Sequence, residues 1–295
     1  MESTHASTPP IPQTAYVLIV AGAAAAGALA GVVVMDFVQD SMLRGPTFGV
    51  PYACNVIGVQ VHGTIVGSVA DIPIMDFLQT YDEMGVSTIT HPNYTVTNEV
   101  EDRLRYYRED PTIRGLLIDV QSSGGGVVPG NELASAFKNF GRPSAAVIHE
   151  IGASAGYLAA ASGNIVFAAK GSLVGSIGVT SSYVDNVRQN EKDGLTFNQL
   201  SSGPLKDTFN PNKTLTKAER DLIMADLKIL RDSFVQRVAD FRGKTYEAID
   251  QLADGSTLLG NAALEKGLID KIGGTDDAIA YLEEQIGEPV TICWQ

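Results

Sequence analysis

The chain has 295 residues, of which 44% are hydrophobic and 19% are charged, so it is long enough to bury a substantial core. Its formal net charge is −13 and it contains no basic run, which excludes a nucleic-acid-binding surface. The two cysteines, Cys54 and Cys293, lie far apart and lack the spacing of a zinc site. We expect them to be buried free thiols rather than partners in a disulfide.

An uncharged stretch, residues 15–35, lies near the start of the chain. As a helix with a rise of ~1.5 Å per residue it would span roughly 30 Å, the thickness of a bilayer core. A cleaved signal peptide is disfavoured because residues 1–14 contain no lysine or arginine. We therefore predict a disordered tail over 1–14, one transmembrane helix over 15–35, a stem over 36–55 and a folded domain over 56–295.

Predicted strands and helices alternate from residue 56 onward, which indicates an α/β domain with much parallel pairing. The predicted strands cover 56–62, 113–120, 145–151, 164–168, 195–200 and 290–294. The predicted helices cover 73–84, 98–109, 131–140, 154–161, 216–242, 246–253, 261–267 and 276–286, with a loop over 85–97. Asn98 is the expected N-cap of the second helix, and Thr216 with Glu219 forms a capping box for the fifth.

A serine between glycines follows the third predicted strand, in the run Gly152-Ala153-Ser154-Ala155-Gly156. This pattern is typical of a nucleophile on a sharp strand-to-helix turn. A serine hydroxyl needs a neighbouring base. The order serine, acid, histidine of the α/β-hydrolases is excluded, because no histidine follows Ser154. The chain's histidines are His5, His62, His91 and His149.

Two kinds of base remain for Ser154. A triad of Asp119 with His62 or His91 is disfavoured, since His62 lies in a predicted strand and His91 in a predicted loop. Lys206 is the stronger candidate, because it follows a rigid, apolar Gly-Pro-Leu approach. A lysine acts as a base near neutral pH only where its pKa lies well below the ordinary ~10.4. Ser176, in a second glycine turn, is suited to hold a neutral amine.

A glycine turn, Gly124-Gly125-Gly126, follows the second predicted strand. Glycines let backbone N–H groups approach a substrate closely. The turn is therefore a candidate oxyanion hole, with a phosphate cradle or a simple tight turn as alternatives. The two common glycine-rich phosphate patterns, GxxxxGK[ST] and GxGxxG, are absent.

Together these runs resemble the signal peptide peptidase A family of membrane-anchored Ser–Lys proteases. The matching runs are 61–65, 113–120 with 122–126, 153–157, 175–179 and 202–207, and the likeness extends over roughly 56–292. The resemblance implies that Ser154 is the nucleophile, Lys206 the general base and Ser176 the residue that holds the lysine amine. It also implies an oxyanion hole formed by the N–H groups of Gly125 and Ser154.

The same resemblance implies a ClpP/crotonase-like α/β domain of repeated ββα units that forms a ring-like homo-oligomer. It implies a protease domain outside the cytoplasm, substrates that are extended apolar peptides such as remnant signal peptides, and no metal or cofactor. The chain departs from the family pattern at Ser123, where proline is usual, and at Ala155, where glycine is usual. A crotonase-type acyl-CoA enzyme and a non-catalytic membrane scaffold are the alternative functions.

Overall fold

A nine-stranded, mostly parallel sheet forms the centre of the domain in a computed structural model of the chain. The structure describes residues 54–73, 76, 78–81, 87–91 and 93–294. The predicted tail and transmembrane helix, and all of the stem except residues 54 and 55, lie outside these residues. In the part of the chain that is described, no helix is both long and apolar enough to cross a bilayer.

The elements are numbered in chain order. The strands are β1 (Val56–Val66), β2 (Leu78–Tyr81), β3 (Ser87–Thr90), β4 (Tyr94–Val96), β5 (Gly115–Gly125), β6 (Ser144–Ala153), β7 (Ile165–Ala168), β8 (Leu173–Gly175), β9 (Thr257–Leu259), β10 (Lys271–Ile272) and β11 (Ile292–Trp294). The helices are α1 (Thr97–Arg108), α2 (Val127–Lys138), α3 (Ala155–Ala161), α4 (Val187–Lys192), α5 (Lys217–Arg242), α6 (Tyr246–Asp250), α7 (Gly260–Lys266) and α8 (Thr275–Ile286).

The strands of the main sheet run in the order β10-β7-β6-β5-β1-β11, and each neighbouring pair is parallel. β4 extends the sheet beside the end of β1, and β8 extends it beside the end of β6. β9 pairs with β8 in the antiparallel direction. The expected α/β architecture with parallel pairing is confirmed.

Both faces of the central strands are buried, which explains their nearly continuous aliphatic sequences. On one face, alternate residues of β5 such as Ile118 pack with side chains from α1, α2, α3 and α5. On the other face, Leu117 and its neighbours on β6 and β7 pack against Leu282 of α8. The sheet therefore has helices packed on both of its faces.

Four sequence predictions of local structure are wrong. The helix predicted over 73–84 and the loop over 85–97 are replaced by β2 and β3, which form an antiparallel hairpin, and by β4. The β-branched and aromatic residues of these short strands favour extended structure over the helical spacing of the apolar positions.

The strand predicted over 195–200 does not form, because no described strand pairs with it. Asn98 lies within α1, whose N-cap is Val96.

The expectation of free thiols is also wrong. Cys54 and Cys293 form a disulfide, with their Cα atoms 5.7 Å apart. The pairing follows from sheet topology, because β11 lies parallel to β1 with Cys293 opposite Ile57. The C-terminal strand is thereby joined covalently to the residues that lead into the first strand.

Helix α5 begins at the predicted capping box. The Thr216 hydroxyl accepts a hydrogen bond from the Glu219 N–H, and the Glu219 carboxylate accepts one from the Thr216 N–H. Val235 is buried in the domain, whereas Ile229 is 66% exposed. The helix thus packs on the domain through its C-terminal half and leaves its N-terminal half exposed except at Glu219.

Candidate active site

The candidate site lies where β5, β6 and β8 end, at the carboxyl edge of the sheet where α/β folds commonly bind ligands. Ser154 directly follows β6 and has φ 52 and ψ −125, a conformation that non-glycine residues rarely adopt. The turn presents the side chain at the sheet edge. No described residue forms a hydrogen bond with the Ser154 hydroxyl.

Gly124 leaves the space that the Ser154 side chain occupies. A Cβ atom at Gly124 would lie 2.8 Å from Ser154 Cβ and 3.1 Å from its Oγ, and Gly124 has φ +117. Gly125 is also in close contact, in its case with β1, since a Cβ atom there would lie 2.1 Å from the Ile65 carbonyl oxygen. These contacts leave no room for a side chain at either position, so glycine is required at both. The turn is therefore not a simple loop.

The Ser154 N–H is not available as an oxyanion donor. It donates a hydrogen bond of 2.8 Å to the Gly175 carbonyl, because Ala153 pairs with Gly175 where β6 and β8 run side by side. The N–H that was predicted to be an oxyanion donor is thus engaged within the sheet in this arrangement. The N–H of Ala155, at the first position of α3, has no acceptor within its own helix and lies beside Ser154.

The Gly125 N–H has the orientation that an oxyanion donor needs. The next amide, at Gly126, donates to the Ile65 carbonyl of β1 at 2.9 Å. Because successive amides of a strand point to opposite sides, the Gly125 N–H points away from β1 and toward the end of β6. Gly125 and Ala155 therefore flank Ser154 with backbone donors. Ala155 was not predicted from the sequence as a donor, although the residue after a nucleophilic serine is a common oxyanion donor.

Ser176 leaves β8 at the same level at which Ser154 leaves β6, so their backbones lie about 5 Å apart, the spacing of neighbouring strands. Its φ is 50, and its hydroxyl donates to the Gly255 carbonyl at 3.0 Å. With its proton committed to Gly255, the Ser176 oxygen can only accept from an amine. An amine held in this way keeps its lone pair free. Gly255 was not predicted from the sequence as the partner of Ser176.

Lys206 lies in a turn and is exposed to solvent. No hydrogen bond or ion pair joins its ammonium to any residue that the structure describes. The neighbouring Asp207 carboxylate accepts hydrogen bonds from Asn210, at 3.1 and 3.2 Å, so it is engaged away from the lysine. The structure thus brings Ser154, Ser176 and the glycine turn together, but it does not bring Lys206 into contact with them.

Two of the histidines converge on one carboxylate away from Ser154. His149 Nε2 lies 2.7 Å from Asp119 Oδ1, and His62 Nε2 lies 3.3 Å from the same oxygen. In a serine triad the aspartate binds Nδ1 and leaves Nε2 for the serine, which is the reverse of this arrangement. His149 also precedes Ser154 by five strand residues, or about 16 Å. His91 pairs with Glu99 at 3.7 Å.

The polar groups around Ser154 are backbone amides and hydroxyls, which suit the stabilisation of a developing oxyanion rather than the binding of a metal ion. Elsewhere in the described ranges, no group of three or more histidine, cysteine, aspartate or glutamate side chains is arranged to hold a metal ion.

A sequence model of peptidase family S49 matches residues 136–287. An Enterococcus faecium protein that carries the name SppA is 33% identical over 62% of this chain and 54% of its own length. Protease 4 of Salmonella typhi is 30% identical over 75% of this chain and 34% of its own. The chain thus spans less than two thirds of the length of such relatives. Among solved structures, a point mutant of ClpP1 from Listeria monocytogenes has a TM-score of 0.44 at 14% identity, covering 76% of this chain and 92% of that chain.

Proposed function

Because this chain belongs to peptidase family S49, we propose that it is a serine peptidase whose nucleophile is Ser154 and whose general base is Lys206. The backbone at Ser154 carries the proposal. A non-glycine residue is held at φ 52 at the end of a strand, with its hydroxyl unengaged and a glycine turn against its side chain. Such strain is uncommon and is found at functional sites.

The proposed reaction has two halves. Ser154 Oγ attacks the peptide carbonyl while the neutral Lys206 amine accepts the hydroxyl proton. The N–H groups of Gly125 and Ala155 stabilise the oxyanion, each by a few kcal/mol, about 3 in comparable sites. The Lys206 ammonium then gives its proton to the departing amine, which leaves an acyl-enzyme. A water molecule repeats the sequence on the acyl carbonyl and releases the acid.

Lys206 needs to be brought to Ser154 for this reaction, and we propose that assembly of a homo-oligomer does so. Lys206 lies in segment 180–216, between β8 and α5, in which no residue is buried. The segment and the first half of α5 carry exposed apolar side chains, which mark a protein interface. Examples are Val184 at 83%, Leu195 at 61%, Leu200 at 97% and Met224 at 58% exposure. A neighbouring chain that covers these side chains would also desolvate the lysine, which favours its neutral form.

The proposed substrates are extended apolar peptides such as remnant signal peptides. Segments 125–127 and 177–179 border Ser154 on two sides, and extended peptides commonly bind beside such strand ends through backbone hydrogen bonds. The family match does not support an acyl-CoA reaction, although an enzyme of that kind would use a similar glycine turn. A non-catalytic scaffold would have no use for the unengaged Ser154 hydroxyl.

We further propose a single membrane anchor at 15–35 and a protease domain outside the cytoplasm. The Cys54–Cys293 disulfide supports this placement, since disulfides persist in oxidising compartments. The protein is expected in the membrane fraction, and protease added to intact spheroplasts should digest the domain. Protection of the domain until lysis would contradict the placement.

The function is tested by peptide hydrolysis with purified full-length protein in detergent. Ser154→Ala and Lys206→Ala should each abolish hydrolysis while the circular dichroism spectrum stays unchanged. Lys266→Ala, which alters an exposed lysine outside segment 180–216, is the control and should keep wild-type activity. Replacement of His62, His91 and His149 together should leave substantial activity. Hydrolysis that survives Ser154→Ala would refute the proposal.

A further inference from the structure

A small cavity opens beside Ser154 on the α2 and α5 side. Its lining residues are Val127, Asn131, Ser154, Ala155, Leu158, Gly178, Val179 and Phe234. Its volume is about 20 Å³, and about 10–15 Å³ on this measure holds a single water molecule. The cavity therefore has room for one methyl or hydroxyl group, but not for a branched aliphatic or aromatic side chain.

The floor of the cavity belongs to the packed core. Leu158 is 3% exposed and Phe234 is 7% exposed, and both pack within the main hydrophobic cluster. Ala155 is fixed by its contact with α2, since a Cβ atom at Gly130 would lie 2.6 Å from Ala155 Cβ. Protein interiors are packed as densely as organic crystals, so this floor cannot retreat by the volume of a side chain without cost.

The rim is formed by two partly exposed valines. Val127 opens α2, and the Asn131 amide donates a hydrogen bond of 2.8 Å to its carbonyl, which fixes that side of the rim. Val179, three residues beyond Ser176, is the second lining valine. Val128, next along α2, is 63% exposed and does not line the cavity. A shorter side chain at Val127 or Val179 would therefore enlarge the cavity, whereas one at Val128 would not.

One of the residues that line the cavity has a buried side-chain oxygen. Asn131 Oδ1 is buried and has no hydrogen-bond partner among the residues that the structure describes. A buried acceptor without a partner destabilises the structure until a donor reaches it. A hydroxyl group that reaches this oxygen would donate to it, so we expect serine as well as alanine to fit the cavity.

We propose that this cavity receives the side chain of the substrate residue whose carbonyl Ser154 attacks, and that Val127 and Val179 restrict that residue to alanine or serine. The inference rests on the proposed function and narrows it, because it names the residue at which apolar peptides are cut. Larger side chains would have to displace the rim or the core. One methylene more or less in an apolar pocket changes the specificity ratio by about 10- to 200-fold.

The test is a set of fluorogenic peptides that differ only at the residue before the cleaved bond, with alanine, serine, valine, leucine or phenylalanine there. With the full-length wild-type protein, kcat/KM should be at least about 10-fold higher for alanine and serine than for leucine. Val127→Ala and Val179→Ala, alone and together, should raise the leucine-to-alanine ratio, which is kcat/KM for the leucine peptide divided by kcat/KM for the alanine peptide. The expected increase is about 5-fold or more. Val128→Ala is the matched control and should leave that ratio unchanged.

Two results would overturn the inference while leaving the proposed function intact. One is cleavage after leucine or phenylalanine as efficient as cleavage after alanine. The other is a leucine-to-alanine ratio that neither rim variant changes. Failure of the wild-type protein to hydrolyse any of the peptides would instead count against the proposed function, and the pocket assignment would fall with it.

Discussion

At the residue scale, the site depends on one serine whose backbone conformation is imposed by its neighbours. Ser154 is held by the hydrogen bond from its N–H to Gly175 and by the absence of a side chain at Gly124. The same hydrogen bond engages the Ser154 N–H and leaves the N–H groups of Gly125 and Ala155 as the proposed oxyanion donors. The glycine-flanked pattern was sufficient to propose Ser154 as the nucleophile. It was not sufficient to propose Ala155 as a donor, because that proposal depends on which residues of β6 and β8 pair.

A glycine-to-alanine comparison tests this packing. Gly124→Ala should lower kcat/KM by at least about 100-fold, since the new methyl group would displace the Ser154 side chain and occupy an unfavourable backbone conformation. Gly171→Ala is the matched control, because a Cβ atom there meets nothing within 4 Å. Thermal unfolding of both variants would separate a local displacement from a global loss of structure. Near-wild-type activity of Gly124→Ala would contradict the geometry.

At the element scale, the start of α5 is fixed by a buried ion pair. Lys213 Nζ lies 2.5 Å from Glu219 Oε1, and Glu219 is fully buried. The hydrogen bond from Lys213, together with those from Thr216, holds the pKa of Glu219 at about 2, below the ordinary 4.5. Because Lys213 belongs to segment 180–216, the ion pair ties the end of that segment to the helix.

The stability that Glu219 contributes should depend on pH in a defined way. A carboxyl group whose pKa is lowered by folding stabilises the protein above its ordinary pKa, and the stabilisation is lost as pH falls toward the folded value. Glu219→Gln should therefore lower the unfolding temperature at about pH 6, and the difference should shrink below pH 4.5 and vanish near pH 2. Glu265→Gln, an exposed glutamate on α7, is the control. A difference that is independent of pH would contradict this role.

The elements differ in how well the sequence predicted them. The long aliphatic strands β1, β5 and β6 and the helix α5 were predicted, because continuous apolar runs and a capping box are local signals. The hairpin of β2 and β3 was missed, since four-residue strands carry too little periodicity to outweigh a helical pattern. The disulfide was missed because it depends on the pairing of β1 with β11, between residues separated by 239 positions.

At the scale of the whole molecule, the domain has two unlike parts. The sheet and its helices form a packed core that positions Ser154, Ser176 and the glycine turn. Segment 180–216 carries Lys206 and contains no buried residue. The resemblance predicted a complete Ser–Lys site, but the geometry of one chain leaves the lysine apart from the serine. Assembly with further copies would explain both the exposed apolar side chains and the separation.

Complementation between inactive variants tests whether a neighbouring chain supplies the lysine. Co-expressed Ser154→Ala and Lys206→Ala chains should form mixed oligomers in which about a quarter of the sites combine an intact serine with an intact lysine from the next chain. Hydrolysis should then recover to roughly that fraction of the wild-type rate. Each variant expressed alone should remain inactive. Mixed oligomers that stay inactive would show that serine and lysine must come from the same chain.

The central claim is that Ser154 is a nucleophile activated by Lys206, and covalent labelling with a fluorophosphonate probe tests it most directly. The labelled residue would be identified by mass spectrometry of the full-length protein in detergent. The account predicts one adduct, on Ser154, that is lost in Ser154→Ala, strongly reduced in Lys206→Ala and retained when His62, His91 and His149 are replaced together. An adduct on another residue, or labelling of Ser154 that requires a histidine and not Lys206, would contradict it.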